Sequence, residues 1–254
     1  MTAAAAELEH GAALSALARI LSLGFTYPDG DALEEIGALV RGLLARTGLA
    51  EGLAEPLAEL LAALDGGGLQ EEFGALFEGA TRCPPYGGSY AADPFRHVRQ
   101  MADVAGFYRA FGAEVSGERP DHAGAELEFL AFLVAKRIAA LAAGAEEEAE
   151  VCRGAEDKFL LDHLGRWVPA LCRGVAAETS SPYYAALARL GRRVVGAELA
   201  QRGLRPEPLR KRVKWAVEGD EVECGGDPIA ASLGDMSEGQ TPGHVHAPKA
   251  LPGA

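Results

Sequence analysis

Basic residues are in short supply. The chain has 24 lysines and arginines against 37 aspartates and glutamates, a formal net charge of −13 over 254 residues. Gripping a polyphosphate needs a basic face and the counterion release it brings, so the charge argues against nucleic acid and favours basic partners. Cysteine is also scarce: Cys83, Cys152, Cys172 and Cys224 are widely spaced with no C-x-x-C pair, which indicates neither a disulfide framework nor a zinc site and reads them as free thiols. Long apolar runs are missing too. The first apolar stretch is broken by Arg19, and nothing is long enough to span a bilayer, so no stable membrane insertion is expected. The first ten residues contain Glu7 and Glu9 but no lysine or arginine. The positive start of an export signal is therefore lacking, and the expected location is the cytoplasm. β-branched residues are sparse and no segment alternates convincingly with period two, which points to an all-α protein. The phosphate loop, the dinucleotide-binding glycine pattern, the H-E-x-x-H pair and the G-x-S-x-G elbow are all absent. Catalysis finds little support, and nucleotide binding stays open.

What the chain does have is helical periodicity and enough apolar content, 48%, for a full core. Leu14, Leu17, Leu21 and Phe25 predict a helix over residues 8 to 26, ended by Tyr27-Pro28-Asp29-Gly30. Asp31 with Glu34 reads as a capping signal for a second helix carrying Leu33, Ile36, Val40 and Leu43. A third runs from Leu53 to Leu64 and stops at Gly66-Gly67-Gly68; Leu69, Phe73, Leu76 and Phe77 mark a fourth. Val98, Met101, Ala105 and Tyr108 mark a fifth closed by Gly112, and a sixth spans 121 to 142. Glu146-Glu147-Glu148 forms a solvated connection or an acidic first turn. The pattern continues through Leu160, Leu164, Trp167 and Leu171, where Pro169 is expected to kink or divide the helix. A last helix follows Ser181-Pro182 through Leu199. The sum is a single-domain bundle of eight to nine helices over 1–203. A largely unstructured tail over 204–254 follows, with a short basic segment from Arg205 to Lys214.

Two strings stand out. Arg119-Pro120-Asp121-His122 feeds into Ala123-Gly124-Ala125-Glu126-Leu127-Glu128-Phe129. Asp121 can offer its carboxylate as N-cap, and His122 and Glu126, four apart, head a row that continues apolar. This reads as a polar pocket at the end of a core helix. Upstream lies Cys83-Pro84-Pro85-Tyr86-Gly87-Gly88-Ser89-Tyr90. His163 and Trp167 are a further i, i+4 pair, read as structural. His244-x-His246 with Cys224 is a weak metal signal beside the plainer reading of a flexible tail. No metal and no cofactor is expected.

In their order and spacing these pieces resemble the TorD/NarJ-like chaperones that assemble molybdenum-containing redox enzymes. The pieces are Phe25-Thr26-Tyr27-Pro28, Leu76-Phe77-x-Gly79, Pro84-Pro85-Tyr86 with Tyr90, Pro120-Asp121-His122, Glu126-Leu127-Glu128-Phe129 and His163-Leu164-x-x-Trp167. Residues 101 to 112 look most like the branch serving type II dimethyl sulfoxide reductase enzymes. One departure matters: relatives usually read Pro-Pro-Tyr-Glu-Ser or Pro-Pro-Tyr-Glu-Thr, and Gly87-Gly88 replaces the last two positions here.

The resemblance implies a non-catalytic chaperone whose partners are an apo molybdoenzyme catalytic subunit and its twin-arginine signal peptide. It implies a binding groove drawn from Leu76, Phe77, Pro85, Tyr86, Tyr90, Pro120, Asp121, His122 and Glu126. On that reading Asp121 and Glu126 face client guanidinium groups. Exposed ion pairs contribute only about 0 to 1 kcal/mol each, against roughly 25 cal/mol per Å² of apolar burial, so an apolar groove would carry affinity and the carboxylates selectivity. The plainer reading stands beside it: Asp121 and His122 as caps, and Leu76, Phe77, Tyr86 and Tyr90 as core. The chain is expected as a monomer or, through the Gly66-Gly67-Gly68 hinge, a domain-swapped dimer. A helical adaptor and a metal-binding helical enzyme are the alternatives.

Overall fold

Rows of leucine spaced three and four apart give each helix one greasy face, and burying those faces against one another sets the architecture. The computed structural model describes residues 3–46, 52–79, 81–91, 94–115, 117–207 and 209. Among them are nine α-helices: α1 (Ala3–Gly24), α2 (Gly30–Leu44), α3 (Ala54–Ala63), α4 (Leu69–Phe77), α5 (Pro94–Ala110), α6 (Ala123–Ala142), α7 (Glu146–Phe159), α8 (Gly165–Glu178) and α9 (Pro182–Gln201). A 3-10 turn spans Gly87–Tyr90 and a π-helical turn spans Leu160–Leu164. The described residues contain no β-strand, only one isolated antiparallel bridge between Tyr86 and His122. None of these helices is long and apolar enough to cross a membrane.

The core is continuous. Leu14, Leu17, Leu21 and Phe25 of α1 are buried, as are Leu127, Leu130 and Val134 of α6 and Tyr184, Leu187 and Leu190 of α9. The most extensive pairings are α1 along α6, α8 along α9 and α6 along α7. Polar ties fasten the α1 seams: Ser15 Oγ donates to the Ala131 carbonyl at 3.1 Å. Arg19 bridges Glu35 of α2 and Glu128 of α6 at 2.8 and 2.7 Å.

Three local features depart from the sequence reading. The cap of α2 is Asp29, whose Oδ1 accepts the Ala32 N–H at 2.8 Å. Pro28 delivers the chain extended directly onto Asp29, so the cap falls there and Asp31 becomes first-turn charge. Pro169 neither divides nor ends α8. The break lies one turn earlier, at the π-turn, where the Gly165 N–H donates to the Leu160 carbonyl five residues back. A Cβ on Gly165 would stand 2.5 Å from that carbonyl oxygen, so this turn requires glycine. With the helix already re-registered there, Pro169 costs only one bond near the start of α8. The chain after α9 also stays packed: Leu204 N–H donates to the Leu199 carbonyl at 2.9 Å, and Glu207 pairs with Arg166 at 3.3 Å. The basic segment past 209, Cys224 and the His244-x-His246 pair lie outside the described residues.

A polar seam crosses the otherwise apolar bundle. Arg137 of α6, buried, donates to Glu156 of α7 at 2.7 Å. Arg202, just beyond α9, reaches the other oxygen of Glu156 at 2.9 Å, Asp157 at 2.7 Å and Glu198 of α9 at 3.0 Å. Glu198 in turn lies 3.2 Å from His10 of α1.

Candidate functional site

The two strings singled out in the sequence are bonded to each other. Pro85 and Tyr86 run antiparallel to Asp121 and His122: the Gly87 N–H donates to the Asp121 carbonyl and the Ala123 N–H to the Pro85 carbonyl, both at 2.8 Å. This places the Pro-Pro-Tyr loop across the entrance to α6. Tyr86 meets the His122 ring edge to face at 5.3 Å, and the Tyr108 hydroxyl donates to the Pro120 carbonyl at 2.7 Å.

Asp121 does not cap α6. Its carboxylate accepts the Gly88 N–H at 2.9 Å and both arms of the Arg119 guanidinium, Nε at 3.0 Å and Nη2 at 2.9 Å. Turned away in this manner, it leaves the cap to the next residue, and His122 Nδ1 accepts the Gly124 N–H at 3.1 Å. The Arg119 guanidinium also stacks over the Tyr86 ring, 4.3 Å from its centre. Glu118 completes the cluster, accepting from the Tyr86 hydroxyl at 3.4 Å and the Arg119 N–H at 2.7 Å.

One turn into α6, Glu126 is fully buried. Its Oε2 accepts the Trp167 indole N–H at 3.2 Å, while Oε1 has no partner among the described residues. Burial pushes this carboxyl well above the usual carboxylate range; the Trp167 bond opposes the shift and the nearby Asp121 charge adds to it. His122 is shifted down by burial, against the pull of Glu118 and Asp121. His163 and Trp167 face different neighbours: Trp167 reaches Glu126 and stacks near Tyr90 at 5.3 Å. His163 Nε2 lies 3.1 Å from Asp103 Oδ2, at an angle short of a hydrogen bond, between the Phe107 and Phe159 rings.

Among the described residues, the groups expected to border an open apolar groove are largely closed off. Asp121 and Glu126 have no solvent exposure and His122 very little, because the bridge closes the loop over them; internal donors occupy the Asp121 carboxylate, His122 Nδ1 and Glu126 Oε2. Leu76 and Phe77 lie in the core, Phe77 packed against Phe25, Phe73 and Tyr184. Pro85 and Tyr90 are buried as well, Tyr90 donating to the Pro84 carbonyl at 3.3 Å. Tyr86 and Pro120 alone of the nine keep partial exposure. Among the described residues, cavities open elsewhere, including one of about 810 Å³ between the α3–α4 turn and the start of α9 and one of about 270 Å³ by α2. Neither is lined by any of the nine.

Sequence reasoning missed Arg119 and Trp167 as members of this cluster. The signal for Arg119 was available, a guanidinium two residues before a turn aspartate; that for Trp167 was not, since it arrives from a helix 41 residues further on. Among the described residues no group of three or more histidines, cysteines and carboxylates could hold a metal. What the cluster does chemically is grip a guanidinium by fork and ring, and the one it grips belongs to the chain itself.

Residues 46–173 match the model of the nitrate reductase delta subunit family, a span that contains the whole cluster. The chain is 34% identical over 143 residues to the perchlorate reductase assembly chaperone protein of Dechloromonas aromatica (strain RCB), covering 52% of this chain and 62% of that protein. It is 34% identical over 163 residues to the selenate reductase assembly chaperone protein of Thauera selenatis, covering 62% and 74%. It is 32% identical over 167 residues to the chlorate reductase assembly chaperone protein of Ideonella dechloratans, covering 63% and 76%. With half of its length under the family model and two relatives matched over about three quarters of theirs, this chain belongs to the nitrate reductase delta subunit family, the TorD/NarJ-like group whose motifs it carries.

Proposed function

We propose that this protein is an assembly chaperone for a molybdenum-containing reductase. It holds the apo catalytic subunit in the cytoplasm, keeps it competent for cofactor insertion, and binds its twin-arginine signal where one exists. The observation that carries this is the similarity to three proteins named as assembly chaperones of perchlorate, selenate and chlorate reductases. The same three names support a client of the type II dimethyl sulfoxide reductase group. The protein makes and breaks no bond; it acts by binding one state of its client in preference to another. Its −13 net charge favours a basic client segment and speeds the encounter. The Tyr86–Asp121 junction is the contact point for that segment, while Leu76 and Phe77 belong to the core.

The test is co-purification of the tagged full chain with a type II reductase catalytic subunit, expressed with and without molybdopterin cofactor synthesis. The cofactor-free subunit is expected to come down with the chain and the cofactor-loaded one to stay behind. Equal capture of both would favour a structural adaptor instead.

A further inference from the structure

A carboxylate that takes both arms of a guanidinium, beside an aromatic ring on which the same guanidinium stacks, is how proteins single out arginine from lysine. Asp121 and Tyr86 form this arrangement around Arg119, with the Glu118 carboxylate at the ring hydroxyl. An ordinary core ion pair would be sealed from both sides, but this one is not. The Asp121 side chain is 0% exposed while that of Arg119 is 41% exposed, so the cover over the carboxylate includes a solvent-facing cation. That cation sits on the α5–α6 connection, which bends through left-handed glycines at Gly112 (φ 74°) and Gly117 (φ 80°).

We propose that this junction is an arginine receptor held shut in cis by Arg119, and that an arginine-bearing client segment enters by displacing the Arg119 side chain into solvent. The proposal rests on the client-binding reading above and adds its regulation. Exchange of one guanidinium for another conserves the fork and the stacking, so the client loses only the strength of Arg119's own attachment. A lysine segment cannot make the exchange, because an ammonium offers neither the planar fork nor the stacking face. The closed form also hides an anionic site from stray cations until a matching segment arrives.

Three variants of the full chain test this. Arg119→Ala empties the receptor and is expected to lower the midpoint of thermal unfolding; methylguanidinium should restore it saturably. The same probe should leave wild type and the Arg119→Ala/Asp121→Asn double variant unstabilised, and methylammonium should do far less. Arg119→Lys keeps a cation over Asp121, and hence the fold, but holds it by one prong. By calorimetry it should bind a peptide with adjacent arginines about tenfold more tightly than wild type. Methylguanidinium that fails to rescue Arg119→Ala, or stabilises all three proteins alike, overturns the proposal. So does a peptide affinity that Arg119→Lys leaves unchanged or weakens. If the peptide binds neither protein while methylguanidinium still rescues Arg119→Ala, the client reading falls and the receptor stands.

Discussion

A carboxyl with one oxygen on the Trp167 indole and the other unpartnered among the described residues has its pKa raised well above the usual range by burial, so Glu126 couples the fold to pH. Its folded pKa lies above the unfolded value near 4.5. The folded state therefore binds the extra proton, and the stability it contributes is complete below that value and lost as pH rises towards the folded pKa. The slope across that window is about 1.4 kcal/mol per pH unit. His122 and His163 act in the opposite sense: burial lowers both below the ordinary 6.5, so their share is full above that pH and falls away in acid. Glu126→Gln keeps an oxygen for the indole N–H and removes the titration. Urea midpoints taken between about pH 5 and pH 8 should then lose the decline on the alkaline side. An unaltered slope in the variant would show that the carboxyl is not protonated in the fold. At this scale the sequence singled out residues that the fold does bring together around the start of α6, but it misjudged their exposure. Asp121 was read as a charge open to a client, yet it is sealed and bonded to the Gly88 N–H. Reversing its charge would disturb the fold, which makes Arg119 the better handle on binding.

Between elements, the Gly87–Tyr90 turn packs so closely on α8 that position 87 has little room for a side chain. A Cβ on Gly87 would meet Trp167 Nε1 at 3.0 Å and Gln100 Nε2 at 3.2 Å. The indole thus occupies the space a side chain would need, and from there reaches Glu126. Gly87→Ala should cost about 1 to 3 kcal/mol by overpacking and shift the Trp167 emission, read by fluorescence and chemical denaturation. Gly106→Ala is the matched control: it lies inside α5, nothing stands within 4 Å of its Cβ position, and it should stabilise by up to about 1 kcal/mol. If the two variants behave alike, close approach is not the reason for Gly87. The helices themselves were legible because a 3.6-residue rhythm is written locally: α4 matches Leu69–Phe77 to the residue, and the acidic run is the first turn of α7. Caps and breaks were less legible. Which side chain caps α6 depends on Gly88, 33 residues away, drawing Asp121 aside and leaving the cap to His122, and no local pattern encodes the π-turn that lets Pro169 pass.

At the scale of the whole molecule, a charged seam among the described residues joins α1 to α9. Arg137 and Glu156 pair with almost no exposure, and Arg202, Glu198 and His10 extend the chain of contacts from α6 and α7 to α9 and α1. Sequence periodicity could not reveal this, because each member reads by itself as one more surface charge on an amphipathic helix. Such pairs contribute little net stability relative to apolar residues of equal size, since desolvation offsets most of the attraction, but removing one partner strands the other. Arg137→Met should therefore cost about 3 to 5 kcal/mol, leaving Glu156 with Arg202 as its remaining strong partner. Adding Glu156→Met to that background should recover a large part of the loss, because Arg202 keeps Asp157 and Glu198 and the interior position becomes apolar. Urea denaturation of the wild type, both single variants and the double variant measures the coupling directly. A double variant whose loss equals or exceeds the sum of the singles would mean that the seam is not a mutually dependent unit. Recovery would identify it as the clasp that fixes how the N-terminal and C-terminal helices close on α6 and α7.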